Sequence, residues 1–202
     1  MQEVNFIFSI AILILSVVIH EVSHGFVANI LGDGTARHAG RLTLNPLKHL
    51  DPMGSFIIPM LTYFGGGFIF GWAKPVPYNP YNLKDQKWGE AKVAAAGPLS
   101  NLLIALVFGL ILRFGIADAL GSASLEMLHL IIYLNLILAV FNLVPIPPLD
   151  GSKVLFSILP YHMRYIQDFM EQYWLVFIGI FIFFLSGVLS PVVEYLFRLI
   201  VG

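Results

Sequence analysis

Long apolar stretches without charged residues, separated by short polar segments, dominate the chain. Four of them have the length and composition of membrane-spanning helices. They lie at about residues 4–31, 93–113, 127–149 and 172–197. The first is interrupted only by a short polar sequence at residues 20–24. The pattern predicts an all-α polytopic membrane protein with four or more transmembrane helices.

A fifth uncharged stretch, residues 54–73, differs from the other four. Pro59 and the glycines at 65–67 leave only about 10 to 12 residues of continuous helix, which is too short to cross a bilayer. Lysines and arginines flank both ends of the stretch, whereas the positive-inside tendency keeps short basic segments on one side. We therefore expect a re-entrant element at about 52–78, a half-helix followed by an extended segment over 66–78 that lines a cavity.

Composition and charge narrow the class of protein further. Charged residues make up 11% of the 202 residues, against about 25% in an ordinary globular domain. The net charge of −1 leaves no basic surface for nucleic acid. Because the chain has no cysteine, disulfide frameworks, thiolate zinc fingers and iron–sulfur clusters are excluded. We expect one domain over residues 1–202.

Three ionisable side chains come together inside the first predicted span, where each is costly and therefore indicates function. His20 and His24 are four residues apart, so their imidazoles share one helix face and can bind one metal ion. Glu21 lies about 100° further around the helix. It can take the proton from a water on that metal without being a ligand, as in zinc hydrolases. A histidine–carboxylate network without a metal, as in a proton relay, is the alternative.

A catalytic zinc ion needs a third protein ligand. Asp150 is a candidate because it follows the third apolar stretch, beside three prolines that break the helix there, at the membrane depth of His20. The other candidates are His38, His49 and Asp51. They belong to a polar loop, where capping and loop hydrogen bonds are the more ordinary roles.

Three motifs, in this order, resemble the site-2 protease family of intramembrane zinc metallopeptidases (peptidase family M50). They are His20-Glu21-Val22-Ser23-His24, Ala96-Gly97-Pro98-Leu99 with Asn101, and Asn142-Leu143-Val144-Pro145-Ile146-Pro147-Pro148-Leu149-Asp150-Gly151. Three further segments, at residues 40–46, 49–52 and 71–77, resemble the short bacterial and archaeal branch of the family, which has no PDZ or CBS domain. The resemblance implies one Zn²⁺ per chain, held by His20, His24 and Asp150, with Glu21 as the general base.

The resemblance also implies how substrate is held. Asn142 would hold it near the metal. As our own hypothesis, the Asn142 amide donates to the developing oxyanion. In relatives, the segment between the first two core helices binds substrate as an added β-strand, which agrees with the extended segment expected at 66–78. We place Gly67 and Phe68 at this edge.

The expected activity is zinc-dependent hydrolysis of peptide bonds in transmembrane segments of other membrane proteins, that is, regulated intramembrane proteolysis. We expect a multi-pass protein of a bacterial or archaeal plasma membrane, with its site towards the cytoplasm. Its partners are a transmembrane substrate and the bilayer, and a regulatory membrane partner or a homo-oligomer stays open. A transporter would usually show an inverted repeat, which this chain lacks. A catalytically silent relative would have lost Glu21 or a metal ligand.

Overall fold

The computed structural model describes residues 2–51, 53–58, 60, 61, 64, 73–116 and 121–202. Within these residues the chain forms helices and no β-strand. The α-helices are α1 (Gln2–Ile30), α2 (Thr35–His38), α3 (Gly89–Arg113), α4 (Ser122–Asn142), α5 (Asp150–Ile158), α6 (Arg164–Gln172) and α7 (Trp174–Val201). Single turns of 3₁₀-helix cover Pro46–Lys48, Pro80–Asn82 and Tyr161–Met163, and a π-helical turn covers Met53–Ile57.

The membrane assignment is confirmed. Three helical segments are long and apolar enough to cross a bilayer, namely Ile7–Ile30, Gly89–Arg113 and Ser122–Asn142. A fourth is added if Tyr161–Gln172 and Trp174–Phe184, bent by 71° at their junction, form one span. The protein is therefore a multi-pass helical membrane protein.

The third expected span, at about 127–149, includes the prolines that break its helix, and α4 ends at Asn142, seven residues before 149. The physical reason is the group of prolines at 145, 147 and 148, which lack the N–H that a continuing helix needs. The loop turns back so tightly that the start of α5 touches the first residue after α4: a Cβ on Gly151 would lie 2.2 Å from the backbone oxygen of Leu143.

Most of the expected re-entrant element, including Gly67 and Phe68, lies outside the described residues. Its described parts are a helical portion that includes Met53–Ile57 and non-helical backbone from residue 73 onward. Neither part tests whether the chain crosses or re-enters the membrane here. The re-entrant element therefore stays a prediction.

Helix α3 is the central helix, because it packs against α1, α4, α5 and α7. The larger apolar core joins α3, α4 and α7, with members Ala105, Ile132, Leu136, Leu149, Phe181, Leu189 and Val193. Small residues bring the helices close together, as expected where lipid supplies little driving force for helix association. A Cβ on Gly109, for example, would lie 2.2 Å from the Ile200 side chain of α7.

Residues 73–84, which we call the strap, pass over the C-terminal half of α1. One end is held by the Lys74 amide, which donates to the His49 oxygen at 2.9 Å. The other end is held by the Lys84 amide, which donates to the Leu31 oxygen at 2.8 Å. Gly25 of α1 permits the close approach, because a Cβ there would lie 2.6 Å from the Val76 side chain.

A buried carboxylate just after α1 fixes the middle of the strap. Asp33 is fully buried and accepts hydrogen bonds from the Asn79 amide at 2.7 Å, the Asn82 side chain at 2.9 Å and the Thr35 hydroxyl at 2.5 Å. Burial raises the pKa of Asp33, but these hydrogen bonds outweigh it and the pKa lies below its ordinary value. The strap is thus held by an ionised carboxylate.

Candidate metal centre

Three ligand-type atoms meet where α1 faces the start of α5. The Asp150 Oδ2 atom lies 3.1 Å from His20 Nε2 and 3.3 Å from His24 Nε2. The two imidazoles stand four residues apart on α1, with their planes at 86° and centroids 4.7 Å apart. Both histidines are buried. Asp150 reaches them because the proline-containing loop ends the preceding helix and makes it the first residue of α5.

The spacing of these atoms fits a tetrahedral zinc ion. Zinc binds nitrogen and carboxylate oxygen at about 2.0–2.2 Å, so two ligand atoms at the tetrahedral angle lie roughly 3.3 Å apart. The two separations from Asp150 Oδ2 have this size. Among the described residues, no other group of three or more histidine and acidic side chains has its ligand atoms all within 4.8 Å of one another. His38, His49 and Asp51 are therefore not brought into this site.

Hydrogen bonds on the far side of each imidazole leave Nε2 free for a metal. His24 Nδ1 lies 2.7 Å from the Val93 carbonyl oxygen. A carbonyl can only accept, so Nδ1 carries the proton and Nε2 keeps its lone pair. His20 Nδ1 lies 2.7 Å from Asn101 Oδ1, and the same argument applies if this amide oxygen faces the ring.

A buried chain of amides fixes that orientation. Asn101 Nδ2 donates to the Ser16 carbonyl at 3.3 Å and to Asn135 Oδ1 at 2.9 Å. Asn135 Nδ2 in turn donates to the Ile131 carbonyl at 2.8 Å and to the Ser16 hydroxyl at 3.0 Å. Because both carbonyls accept only, each amide has one orientation. The chain Asn135–Asn101–His20 thus presents the His20 Nε2 lone pair to the metal position.

The sequence names Asn101 only as part of a motif, without a role, and does not single out Asn135. Both are neutral amides, which a search of the apolar stretches for ionisable residues does not detect. The usable signal is that Asn101 and Asn135 are fully buried polar side chains within membrane-spanning helices, where an unsatisfied amide is costly.

Helix α3 lies directly against the candidate ligand nitrogens at Gly97. A Cβ at this position would lie 2.5 Å from His24 Nε2 and 2.6 Å from His20 Nε2. Only a glycine leaves room there for both imidazoles with their metal-facing atoms uncovered.

A cavity of about 190 Å³ opens onto the three ligand atoms, and Glu21 and Asn142 line it as well. Glu21 Oε2 accepts the Val76 amide of the strap at 2.9 Å, so one carboxylate oxygen is anchored and the other is not used by this bond. Asn142 Nδ2 donates to the Leu138 carbonyl at 2.9 Å. The cavity therefore joins a possible metal position, a carboxylate and an amide.

Tyr78 closes the strap side of this cavity. Its hydroxyl donates to Glu90 Oε1 at 3.1 Å. Burial and the nearby Glu90 carboxylate raise the pKa of Tyr78, so the hydroxyl stays protonated.

Comparison with known proteins agrees with this geometry. The family model described as peptidase family M50 matches residues 116–186. YwhC of Bacillus subtilis, which bears a zinc-metalloprotease name, is 38% identical over 177 residues, covering 84% of this chain and 78% of YwhC. MJ0611 of Methanocaldococcus jannaschii, with a similar name, is 36% identical over 152 residues, or 73% of this chain and 72% of MJ0611.

A third relative is longer. Rip2 of Mycolicibacterium smegmatis, also bearing a zinc-metalloprotease name, is 35% identical over 151 residues, which are 74% of this chain but only 56% of Rip2. No solved structure matches the chain. Zinc is the cofactor that the family and the relatives' names indicate. On these similarities and its multi-pass helical architecture, the chain belongs to peptidase family M50, the site-2 protease family of zinc metalloproteases.

Proposed function

We propose that this membrane metalloprotease is an endopeptidase that cleaves transmembrane segments of other membrane proteins, with His20, His24 and Asp150 as its zinc ligands. The observation that carries the proposal is the meeting of three ligand-type atoms, two from α1, a helix of membrane-spanning length, and one from Asp150 at the start of α5. A site on a spanning helix is suited to substrates that share the bilayer with it.

Glu21 acts as the general base in this proposal. The bound zinc supplies Lewis acidity, which makes a water molecule more acidic and polarises the scissile carbonyl. Glu21 takes the proton from the attacking water and passes it to the leaving amine. The Val76 amide supports this role, because its bond to Oε2 at 2.9 Å orients the carboxylate and leaves Oε1 for the proton.

Asn142 is proposed to donate to the developing oxyanion. Its side chain lines the same cavity as the ligands. One of its two amide hydrogens is used by the Leu138 carbonyl, which leaves the second for substrate. Loss of an oxyanion donor of this type costs about 3 kcal/mol of transition-state stabilisation.

A transmembrane substrate has its amides bonded within its own helix and must unwind before attack. We propose that strand pairing offsets the broken bonds, with Gly67 and Phe68 at the pairing edge. The strap beyond them offers few donors: Pro75 and Pro77 have no N–H, and the Val76 amide already donates to Glu21. The pairing edge must therefore draw its donors mainly from the residues before 73.

The site is proposed to face the cytoplasm. The polar loop after α1 and the segment before α3 carry most of the lysines and arginines of the first half of the chain. The segment before α3 lines the metal-site cavity, and the Lys74 amide joins it to the loop at His49. The cysteine-free chain permits single-cysteine labelling. A cysteine at Pro147 should react with a membrane-impermeant maleimide only from the cytoplasmic side, and reaction from the opposite side alone would refute the orientation.

Substrate trapping with Glu21→Gln tests the function. The variant should keep its zinc and retain single-pass membrane proteins in native membranes. Purified wild type should then cleave the trapped proteins, and Glu21→Gln should be slower by at least about 100-fold. Glu194→Gln is the matched control, because Glu194 is an exposed carboxylate paired with Arg198 on α7. Cleavage by Glu21→Gln at the wild-type rate would show that the mechanism is wrong.

A further inference from the structure

A second and larger cavity lies beside the metal-site cavity. Its volume is about 650 Å³, within the range of roughly 300–1,000 Å³ typical of ligand sites. We call it the vestibule. It is enclosed by the residues before and at the start of α3, by α5 and by α6. Pro148 and Lys153 line both cavities, so the two share a wall.

Three cations line the vestibule, and each lies over an aromatic ring. Lys87 Nζ is 5.1 Å from the Trp88 ring centroid and Lys153 Nζ is 5.1 Å from that of Tyr78. The Arg164 guanidinium is 4.9 Å from the Tyr161 ring. In the described part of the chain, none of the three forms an ion pair. Their N–H donors are thus available to an anionic ligand.

The two carboxylates of the vestibule already have neutral partners. Glu90 accepts the Tyr78 hydroxyl at 3.1 Å, and Glu171 accepts the Gln167 amide at 2.8 Å. Three cations against two carboxylates leave the lining with an excess of positive charge. The excess is a property of this cavity, since the whole chain has a net charge of −1.

Helix α6 forms one wall of the vestibule and is amphipathic. Its polar residues Arg164, Gln167 and Glu171 line the vestibule. Tyr165 and Phe169, which are 66% and 53% exposed, lie on nearly the opposite helix face at 100° per residue. An apolar side that faces away from the cavity suits lipid, and the polar side keeps the cavity wet.

We propose that the vestibule binds an acidic peptide segment of the substrate, next to the transmembrane segment that enters the metal site. The inference rests on the proposed function. A peptide that leaves the metal-site cavity along the wall of Pro148 and Lys153 passes into the vestibule. There its carboxylates meet Lys87, Lys153 and Arg164. A lipid fits less well, because its acyl chains would have to cross the polar side of α6.

The test measures binding without requiring cleavage. Zinc-loaded Glu21→Gln is placed in nanodiscs of phosphatidylcholine. The probe is a fluorescent decapeptide with six aspartate and glutamate residues, and its control has asparagine and glutamine at the same positions. The acidic peptide should bind at least about 10-fold more tightly, since exposed charge pairs contribute up to about 1 kcal/mol each. Equal binding of the two peptides, or no binding of the acidic one, would overturn the proposal.

Variants identify the surface that binds the probe. Lys87→Gln combined with Arg164→Gln should weaken binding of the acidic peptide by about 5-fold or more. Both side chains are exposed and their removal leaves the core intact, which retained zinc content would verify. Lys48→Gln removes an exposed cation outside the vestibule and should change binding by less than about 2-fold. Equal effects of the double variant and Lys48→Gln would locate binding elsewhere.

Nanodiscs containing phosphatidylglycerol separate peptide from lipid. Phosphatidylglycerol could abolish peptide binding to the wild-type vestibule at constant ionic strength and yet have no effect on the double variant. An anionic lipid would then occupy the cavity, and the proposal would be wrong. Failure of wild-type protein to cleave any trapped protein would refute the proposed protease function. That result would leave the peptide-binding measurement standing, so the two failures are distinguishable.

Discussion

Replacing Gly97 by alanine should weaken zinc binding strongly while leaving the fold intact. The added Cβ would lie 2.5 Å from His24 Nε2 and 2.6 Å from His20 Nε2, whereas ordinary contact begins at 3.4 Å. If the helices stay in place, each nitrogen has to retreat by about 0.8–0.9 Å. Zinc sites tolerate deviations of only about 0.2 Å in ligand distance. We therefore expect zinc affinity to fall by at least about 100-fold, or roughly 2.7 kcal/mol.

In the metal-free variant, the helix propensity of alanine, up to about 1 kcal/mol better than that of glycine, offsets part of the roughly 1–3 kcal/mol that displacing two buried imidazoles costs. Zinc should therefore raise the Tm of Gly97→Ala by less than it raises that of wild type. Competition with a chromogenic chelator in detergent measures the affinity, and thermal unfolding with and without zinc measures the stability. Gly179→Ala on α7 is the matched control, because a Cβ there meets nothing within 4 Å. Zinc affinity within about 3-fold of wild type in Gly97→Ala would refute the reasoning.

Three further outcomes are expected. Asn135→Leu should lower zinc affinity by about 10-fold, although Asn135 reaches the imidazole of His20 only through Asn101. An unchanged affinity in the chelator assay would mean that the chain of amides does not orient His20. Removal of zinc by a chelator should lower the Tm of wild type but not that of His24→Ala. The loss for wild type corresponds to about 2.7 kcal/mol when free zinc was present at 100 times its Kd. Equal shifts in both proteins would place the metal elsewhere. Asp33→Asn should lower the free energy of unfolding by about 2 kcal/mol. Since the folded-state pKa of Asp33 is depressed, its contribution is present above the unfolded value of about 3.9 and is lost as the pH falls through the folded pKa. The Tm difference between wild type and Asp33→Asn should therefore shrink from pH 6 to pH 3, and a constant difference would contradict this.

Much of the architecture follows from where charges are missing along the chain, because a charge at membrane depth is costly. Charge alone does not mark the end of α4, since an uncharged loop such as 143–149 is indistinguishable from helix by that rule. There the prolines, which remove backbone donors, decide the conformation.

The ligand-type residues of the candidate site could be predicted from the sequence, whereas the contacts that hold them in place could not. The spacing of His20 and His24 specifies a shared helix face, and Asp150 was named from its position beside the prolines. The Asn101–Asn135 chain was not found, because its contacts join residues 34 to 119 positions apart and no local pattern encodes them. The strap contact between Val76 and Glu21 was missed for the same reason.

If His20, His24 and Asp150 are the zinc ligands, as we propose, their order along the chain has a consequence for biosynthesis. His20 and Asp150 are 130 residues apart, so the histidine pair is made and inserted long before the aspartate. At about 5–20 residues per second, the delay is roughly 7–26 s. During that interval the nascent chain holds only two of the three ligands. A metal bound by all three closes a loop of most of the protein, so the enzyme can acquire its full metal site only after the helices that surround it have been synthesised.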